Sequence, residues 1–176
     1  MAMTAQTSAQ STSERAIELD GEILRFTLRT FAPDALAADP AADPAADLEP
    51  TSALNTAKLL KRFLLAGASE EAAMLSNAPR RRFEVLREYQ ASVGDEGFKQ
   101  VFAEYFEPGN RFAAELAMGD HSLLVWQLRG ADRYAGQYYV RVDGKVLIDD
   151  VPGPVRVRLR RVLEAIRSGL LILPAQ

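Results

Sequence analysis

Residues 111–150 read RFAAELAMGDHSLLVWQLRGADRYAGQYYVRVDGKVLIDD, and this stretch decides the fold class. It contains two pairs of segments rich in β-branched and aromatic residues. A short turn joins each pair, Gly119-Asp120 in the first and Asp143-Gly144 in the second. Glycine beside aspartate between apolar segments is a strong local sign of a β-hairpin. The stretch therefore predicts a four-stranded antiparallel meander.

The alternation of apolar and polar residues predicts the register of both hairpins. Successive side chains of a strand point to opposite faces of the sheet, so the length of the turn decides which residues share a face. One extra loop residue, or a bulge, brings the apolar side chains of each hairpin together. These sets are Phe112, Leu116 and Met118 with Leu124, Trp126 and Leu128, and Tyr138, Val140 and Val142 with Val146 and Ile148. We therefore expect bulged or three-residue turns at both places.

The same register leaves a mixed surface on the opposite face of the sheet. Polar and charged side chains prevail there, and Tyr139 is expected to be an exposed aromatic residue among them. Glu115 and Asp149 also fall on this face, with Leu123 and Val125. This open face is the best binding candidate in the chain. Its candidate binding residues are Arg111, Gln127, Arg129, Gln137, Tyr139 and Arg141.

Helices are predicted on both sides of the meander. Apolar residues recur at helical spacing through residues 51–108, with helix starts at Thr51 or Ser52, Ser69, Pro79 and Asp95. The third of these helices is expected to end at Gly94. A last helix follows Pro154, and the apolar run 170–173 is expected to dock on the domain or on a partner. The predicted class is α+β: N-terminal helices packed on a curved four- to six-stranded antiparallel sheet, plus a C-terminal helix.

The first 50 residues predict three segments of different character. Residues 1–15 are rich in Ser, Thr and Gln and are expected to be a disordered leader. Residues 16–32 alternate apolar and polar side chains across Asp20-Gly21, which predicts a β-hairpin whose place in the main sheet stays open. Residues 33–50 repeat Ala-Ala-Asp-Pro and predict an extended linker, because regularly spaced prolines block a helix. Residues 51–176 form the rest of the domain.

Composition narrows the classes of partner and site. The chain has 176 residues, 48% of them apolar, and a formal net charge of -3, which argues against nucleic acid and an anionic membrane surface. It has no cysteine, which excludes thiolate metal sites and a thiol nucleophile. No apolar run is long enough to span a bilayer.

The preference for Arg over Lys, with abundant Ala, indicates a bacterial source. The compartment of the protein stays open: it is the bacterial cytoplasm, or the periplasm if a signal peptide was removed.

The end of the meander carries a family resemblance. The segment Gln137-Tyr-Tyr-Val-Arg-Val-Asp-Gly144, followed by Lys145-Val-Leu-Ile-Asp-Asp150, resembles the closing strands of the nuclear-transport-factor-2-like or SnoaL-like superfamily. The resemblance covers about residues 51–150. It implies a cone-shaped α+β fold that binds apolar ligands between sheet and helices, in a superfamily of dehydratases, isomerases, cyclases and pure binding modules.

Candidate catalytic residues are few. Asp120 and His121 resemble the Asp-His acid-base pairs of some cone-fold enzymes, but neighbours on a strand point to opposite faces, so both are weak candidates. A single histidine without a second nearby ligand predicts no metal site. Phosphate-loop, nucleophile-elbow and zinc-protease motifs are not found, and no cofactor is expected.

Two groups of arginines form the remaining pattern. Arg80-Arg81-Arg82 opens the third helix, where positive charge opposes the helix dipole at a cost of a few tenths of a kcal/mol. Either a solvated, ion-paired face or an acidic partner accounts for this placement. The last helix raises the same question with Arg156, Arg160, Arg161 and Arg167.

The sequence supports three hypotheses about function. The first is a non-catalytic binding or protein-interaction domain that uses the open sheet face for a protein partner or a homodimer. The second is a cofactor-free acid-base enzyme of the dehydratase or isomerase type, acting on a small hydrophobic substrate through Asp120, His121 and a pocket tyrosine. The third is an exported inhibitor or immunity protein. The mixed sheet face offers polar side chains and an aromatic residue but no clear acid-base set, which favours binding over catalysis.

Overall fold

A six-stranded antiparallel sheet forms the centre of the protein in a computed structural model, which describes residues 11–32, 35, 48–107, 109–129 and 133–174. The strands follow one another across the sheet in chain order. They are β1 (Ser11–Leu19), β2 (Glu22–Thr30), β3 (Arg111–Met118), β4 (His121–Gln127), β5 (Tyr134–Val142) and β6 (Lys145–Ile148).

The helices are α1 (Ala53–Leu65), α2 (Ser69–Ala73), α3 (Pro79–Tyr105) and α4 (Pro154–Arg167). Ser52 caps α1, because its hydroxyl accepts a hydrogen bond from the Asn55 amide. Within α3, Gly94 has a φ of 77° and a ψ of 165°, so two helical segments meet at the residue where the sequence predicts the third helix to end.

Two apolar layers lie on the two faces of the sheet. Helices α1–α3 pack on one face, here called the α1 face, around Phe98, Leu124 and Tyr139. Helix α4 packs on the opposite face, the α4 face, around Leu116, Leu123 and Val162. The predicted α+β class, with helices on the sheet and a C-terminal helix, is confirmed. Helices thus cover both faces of the sheet, and each face carries apolar residues.

The hairpin turns differ from the prediction. Met118 pairs with His121, and Val142 pairs with Lys145, so both turns have two residues and neither is bulged. Asp143 and Gly144 both have positive φ values, as a tight hairpin turn requires. The irregularity lies instead inside β3, between Phe112 and Ala114. This bulge reverses the alternation within β3, so its two ends follow different parities.

The N-terminal hairpin is longer than predicted and belongs to the main sheet. β1 begins at Ser11 and pairs with β2 along its whole length, across Asp20-Gly21. The expectation of a disordered leader is therefore wrong for residues 11–15, because their backbone is paired in the sheet. Residues 1–10 and nearly all of the predicted linker 33–50 lie outside the described residues.

The C-terminal apolar run docks in part. Leu171 and Leu173 pack against the apolar layer on the α4 face, whereas Leu170 and Ile172 are exposed. Only half of this run is therefore covered.

Candidate functional site

A concave pocket opens on the α1 face, where β2, β3 and β4 meet the start of α1. Its volume is about 300 Å³, which is at the lower end of the range for small-molecule sites. We call it the Arg29–Glu115 pocket. Its lining residues are Arg29, Phe31, Ser52, Ala53, Leu54, Glu115, Ala117, Gly119, Asp120, His121, Ser122, Arg141 and Val146.

Arg29 and Glu115 form the charged pair of this pocket. The antiparallel register of β2 and β3 places the two residues directly opposite each other. An Arg29 Nη1 atom lies 3.3 Å from Glu115 Oε1 and donates a hydrogen bond to it. The Glu115 side chain is 11% exposed, and that of Arg29 is 37% exposed. The carboxyl group is thus withdrawn from water, while the guanidinium group remains accessible.

The environment of Glu115 makes its carboxyl group harder to ionise. Burial raises the pKa of this carboxyl above its ordinary value of 4.5, and the nearby charges of Arg29 and Arg141 lower it only in part. A carboxyl group with a raised pKa can donate a hydrogen bond when it is protonated and accept one when it is ionised. Glu115 can therefore adapt to the charge of a bound molecule.

The start of α1 forms a fixed wall of the pocket. The Val146 amide donates to the Pro50 carbonyl at 2.7 Å, and the Thr56 hydroxyl donates to the Val146 carbonyl at 2.5 Å. Val146, which lines the pocket, is thus held by bonds between β6 and the residues at the start of α1, and Ser52 is held by its capping bond from the Asn55 amide. The wall is positioned before any ligand arrives, which reduces the ordering that binding requires.

The predicted binding residues do not form one surface. Arg141 lines the pocket, together with the weak catalytic candidates Asp120 and His121. Arg111 pairs with Gln127 at the opposite end of the β3–β4 hairpin. Arg129 makes an ion pair with Glu107 after the end of α3, and Gln137 is partly buried opposite Leu124. Of the candidate binding residues, only Arg141 lines the pocket.

Tyr139 is not the exposed aromatic residue that the sequence predicts. It is 1% exposed and belongs to the apolar layer beneath α1–α3. The two-residue turn at Asp143-Gly144 places it opposite Ile148, and pairing with β4 places it opposite Ser122. Burial raises the pKa of its hydroxyl, which has no hydrogen-bond partner among the described residues. The aromatic centre of the predicted binding surface therefore belongs to the core.

His121 has a different acidic neighbour from the one its sequence suggests. Its Nε2 atom lies 3.9 Å from an oxygen of Asp149, a buried residue at the end of β6. Asp149 accepts hydrogen bonds from the Asn77 side chain and the Val151 amide. The Asp149 carboxylate is therefore already engaged in joining chain segments, and 3.9 Å is too long for a hydrogen bond to His121.

The two most informative pocket residues were not selected from the sequence. The alternation pattern places Glu115 on the mixed face without marking it as a binding residue, although it is the single acid among the apolar residues of β3. Arg29 lies 86 positions before Glu115 in the chain. A lone acid in an otherwise apolar strand is the local signal that could have identified Glu115. Nothing near Arg29 in sequence indicates its partner.

Other classes of site find no support in the described part of the chain. Among these residues, no group of three or more His, Asp or Glu side chains is arranged to hold a metal ion. None of the helices traced there combines the length and apolar character needed to cross a membrane.

Comparison with known proteins returns no relative. No family model matches this chain, and neither a curated protein nor a solved structure is similar enough to count as a match.

Proposed function

We propose that this protein is a non-catalytic binding domain that holds a small anionic molecule in the Arg29–Glu115 pocket. The observation that carries the proposal is the placement of a buried carboxyl, with a raised pKa, against Arg29 and near Arg141. Pockets that combine concavity with a perturbed titratable group are the preferred candidates for binding sites.

The chemistry of the lining favours a carboxylate or phosphate group on the ligand. Arg29 and Arg141 present guanidinium groups, which match the planar geometry of a carboxylate. Protonated Glu115 can add a hydrogen bond from its hydroxyl to the same anion. The polar lining, in which Arg29 and Arg141 lie with Glu115 and Asp120, supports a polar ligand that can meet a guanidinium group rather than the small hydrophobic ligand that the family resemblance implies. An apolar molecule would leave the buried polar groups without partners, which is costly.

A titration with a small dicarboxylate tests this proposal. Succinate is the probe, and amide chemical shifts in the ¹⁵N spectrum report where it binds. The proposal expects saturable shifts at Gly119 and Ser122, and a loss of affinity of about tenfold or more in Arg29→Ala or Arg141→Ala, since each removes a charge-assisted hydrogen bond.

Arg111→Ala is the matched control for the succinate titration. Arg111 is exposed and belongs to the originally predicted surface, but it lies at the other end of the hairpin from the pocket. Its removal should leave succinate affinity unchanged. Equal weakening by Arg111→Ala and Arg141→Ala would mean that succinate responds to general charge, and the proposed pocket would be rejected.

A second candidate function is cofactor-free acid-base catalysis in the same pocket. The raised pKa of Glu115 favours it, because a general acid or base works best when its pKa lies near the working pH. Glu115 would then take the role that the sequence suggested for Asp120 and His121. A ¹³C-detected titration of the Glu115 carboxyl decides whether this idea survives: an apparent pKa at the ordinary value of 4.5 would end it.

A protein partner or a homodimer remains a prediction. The polar surface that motivated it is interrupted by the burial of Tyr139. Size-exclusion chromatography with light scattering tests self-association directly, and a monodisperse monomer would remove the homodimer.

A further inference from the structure

We propose a second ligand site, separate from the Arg29–Glu115 pocket, in a cleft between the first turn of α3 and the loop that leads into α4. We call it the arginine cleft. Its volume is about 370 Å³, and a smaller hollow of about 180 Å³ adjoins it through Pro152 and Arg156. The ligand it fits is a small phosphate monoester with an apolar group.

The cleft unites two arginine groups that the sequence leaves unexplained. Arg81 and Arg82 come from the arginine run at the start of α3, and Arg156 and Arg160 come from α4. Arg81, Arg82 and Arg156 line the main cleft, and Arg156 and Arg160 line the adjoining hollow. None of these residues lines the Arg29–Glu115 pocket.

A hydrogen-bond network holds the two walls of the cleft together. Arg82 donates to both oxygens of Asp150, at 2.6 and 2.8 Å, and the Ser76 hydroxyl binds the same carboxylate at 2.5 Å. The Asp150 amide donates to the Asn77 side chain at 2.8 Å. Arg82 and Asp150 thus neutralise each other and serve as a frame for the other arginines.

Across the described part of the chain, the remaining arginines of the cleft lack the ion pairs that their neighbours in the sequence form. Arg80 pairs with Glu84, and Arg158 and Arg161 pair with Glu22. Within the described residues, Arg81, Arg156 and Arg160 have no carboxylate oxygen within ion-pairing distance. The guanidinium group of Arg156 lies 5.2 Å from the ring centroid of Tyr138, which orients it. Arg81 and Arg156 therefore line the cleft, and Arg160 lines the adjoining hollow, without a carboxylate at ion-pairing distance among the described residues.

The shape and polarity of the cleft indicate the class of ligand. A phosphate group matches several guanidinium groups at once, because its oxygens accept paired hydrogen bonds. Val85, Leu86 and Pro152 supply apolar surface beside the arginines. The net charge of -3 opposes a long polyanion such as nucleic acid, so a small molecule is the better fit.

Titration with phenyl phosphate tests the arginine cleft, with amide shifts measured on the full chain. The proposal expects saturable shifts at Gly153, which lines the adjoining hollow, and a loss of affinity of about tenfold in Arg81→Ala and in Arg156→Ala. Arg80→Ala is the matched control, since Arg80 is 94% exposed in its side chain, pairs with Glu84 and does not line the cleft. The control variant should bind as well as the unaltered chain.

Two results would overturn the arginine cleft. One is the absence of saturable shifts at Gly153, and the other is an equal loss of affinity in Arg80→Ala and Arg81→Ala, which would indicate general charge attraction. Arg29→Ala should leave phenyl phosphate binding at Gly153 unchanged. Failure of the Arg29–Glu115 pocket and failure of the arginine cleft are therefore distinguishable.

Discussion

Arg29 and Glu115 face each other across the β2–β3 pair, and the guanidinium group of one donates a hydrogen bond to the carboxyl group of the other. This contact links the N-terminal hairpin to the central meander at the edge of a polar pocket. It also gives the protein a titratable group whose behaviour depends on folding.

The stability of the protein should depend on the ionisation of Glu115. Its pKa is raised in the folded state, so its contribution to stability is complete below 4.5, the ordinary value, and is lost as pH rises through the folded pKa. As pH rises from 4.5 through the folded pKa of Glu115, the free energy of unfolding of the unaltered chain should fall relative to that of Glu115→Gln. Urea unfolding of both proteins at several pH values measures the difference. A difference that stays constant with pH would contradict the raised pKa.

Removal of the Tyr139 hydroxyl should not destabilise the protein. In the part of the chain that the structure describes, the hydroxyl is buried without a hydrogen-bond partner, and such a group costs about 1–3 kcal/mol. Tyr139→Phe keeps the ring and should be neutral or more stable by about 1 kcal/mol. Tyr139→Ala should lose about 3–5 kcal/mol, because it leaves a cavity. Thermal unfolding compares the two variants, and a large loss in Tyr139→Phe would show that the hydroxyl has a partner.

Loss of the Asp150 carboxylate should loosen the start of α3. Burial acts to raise the pKa of Asp150, but the hydrogen bonds from Arg82 and Ser76 outweigh it and hold the pKa below its ordinary value of 3.8. Its contribution to stability is therefore present above 3.8 and lost as pH falls through the folded pKa.

Asp150→Asn should reduce the free energy of unfolding at neutral pH by about 2 kcal/mol, because charge-assisted hydrogen bonds are replaced by weaker ones. Asp120→Asn, at an exposed turn, is the control and should change little. Denaturant titration measures both. Equal stability of the two variants would show that the Asp150 network is dispensable.

A methyl group at Gly136 should separate α4 from the sheet. A Cβ atom there would lie 2.6 Å from a Leu123 carbon and 2.8 Å from a Leu163 carbon. Such overpacking typically costs about 1–3 kcal/mol, so Gly136→Ala should unfold at lower temperature. Gly153→Ala, where the added atom meets nothing within 4 Å, should have a much smaller effect. Calorimetry of the pair checks the contact between α4 and β5.

Local signals predicted the elements of this fold well. Aspartate-glycine turns indicated the hairpins, and Ser52, Pro79 and Gly94 indicated where helical segments begin or end. Each signal acts through backbone geometry within a few residues, which explains why no knowledge of the whole fold was needed.

The faces of the sheet could not be predicted in the same way. Residues 122–126 of β4 are all buried, because helices cover both sides of the sheet. Apolar alternation is then a poor guide to register, and the tight turn at Asp143-Gly144 decides it instead. The alternation pattern therefore predicts an exposed position for Tyr139, which is buried. The Arg29–Glu115 contact depends on pairing between distant strands, which no local pattern encodes.

The most direct test of the proposed function is the pH dependence of succinate affinity in the unaltered chain and in Glu115→Gln. Protonated Glu115 donates to the anion, whereas its ionised form repels the anion, so affinity should fall as pH rises through the folded pKa of Glu115. Because the carboxyl groups of succinate also titrate in acid, Glu115→Gln should keep only the pH dependence of the ligand itself, and the affinity of the unaltered chain relative to Glu115→Gln should fall as pH rises through the folded pKa of Glu115. The same pH dependence in both proteins, or the absence of binding to either, would contradict the account.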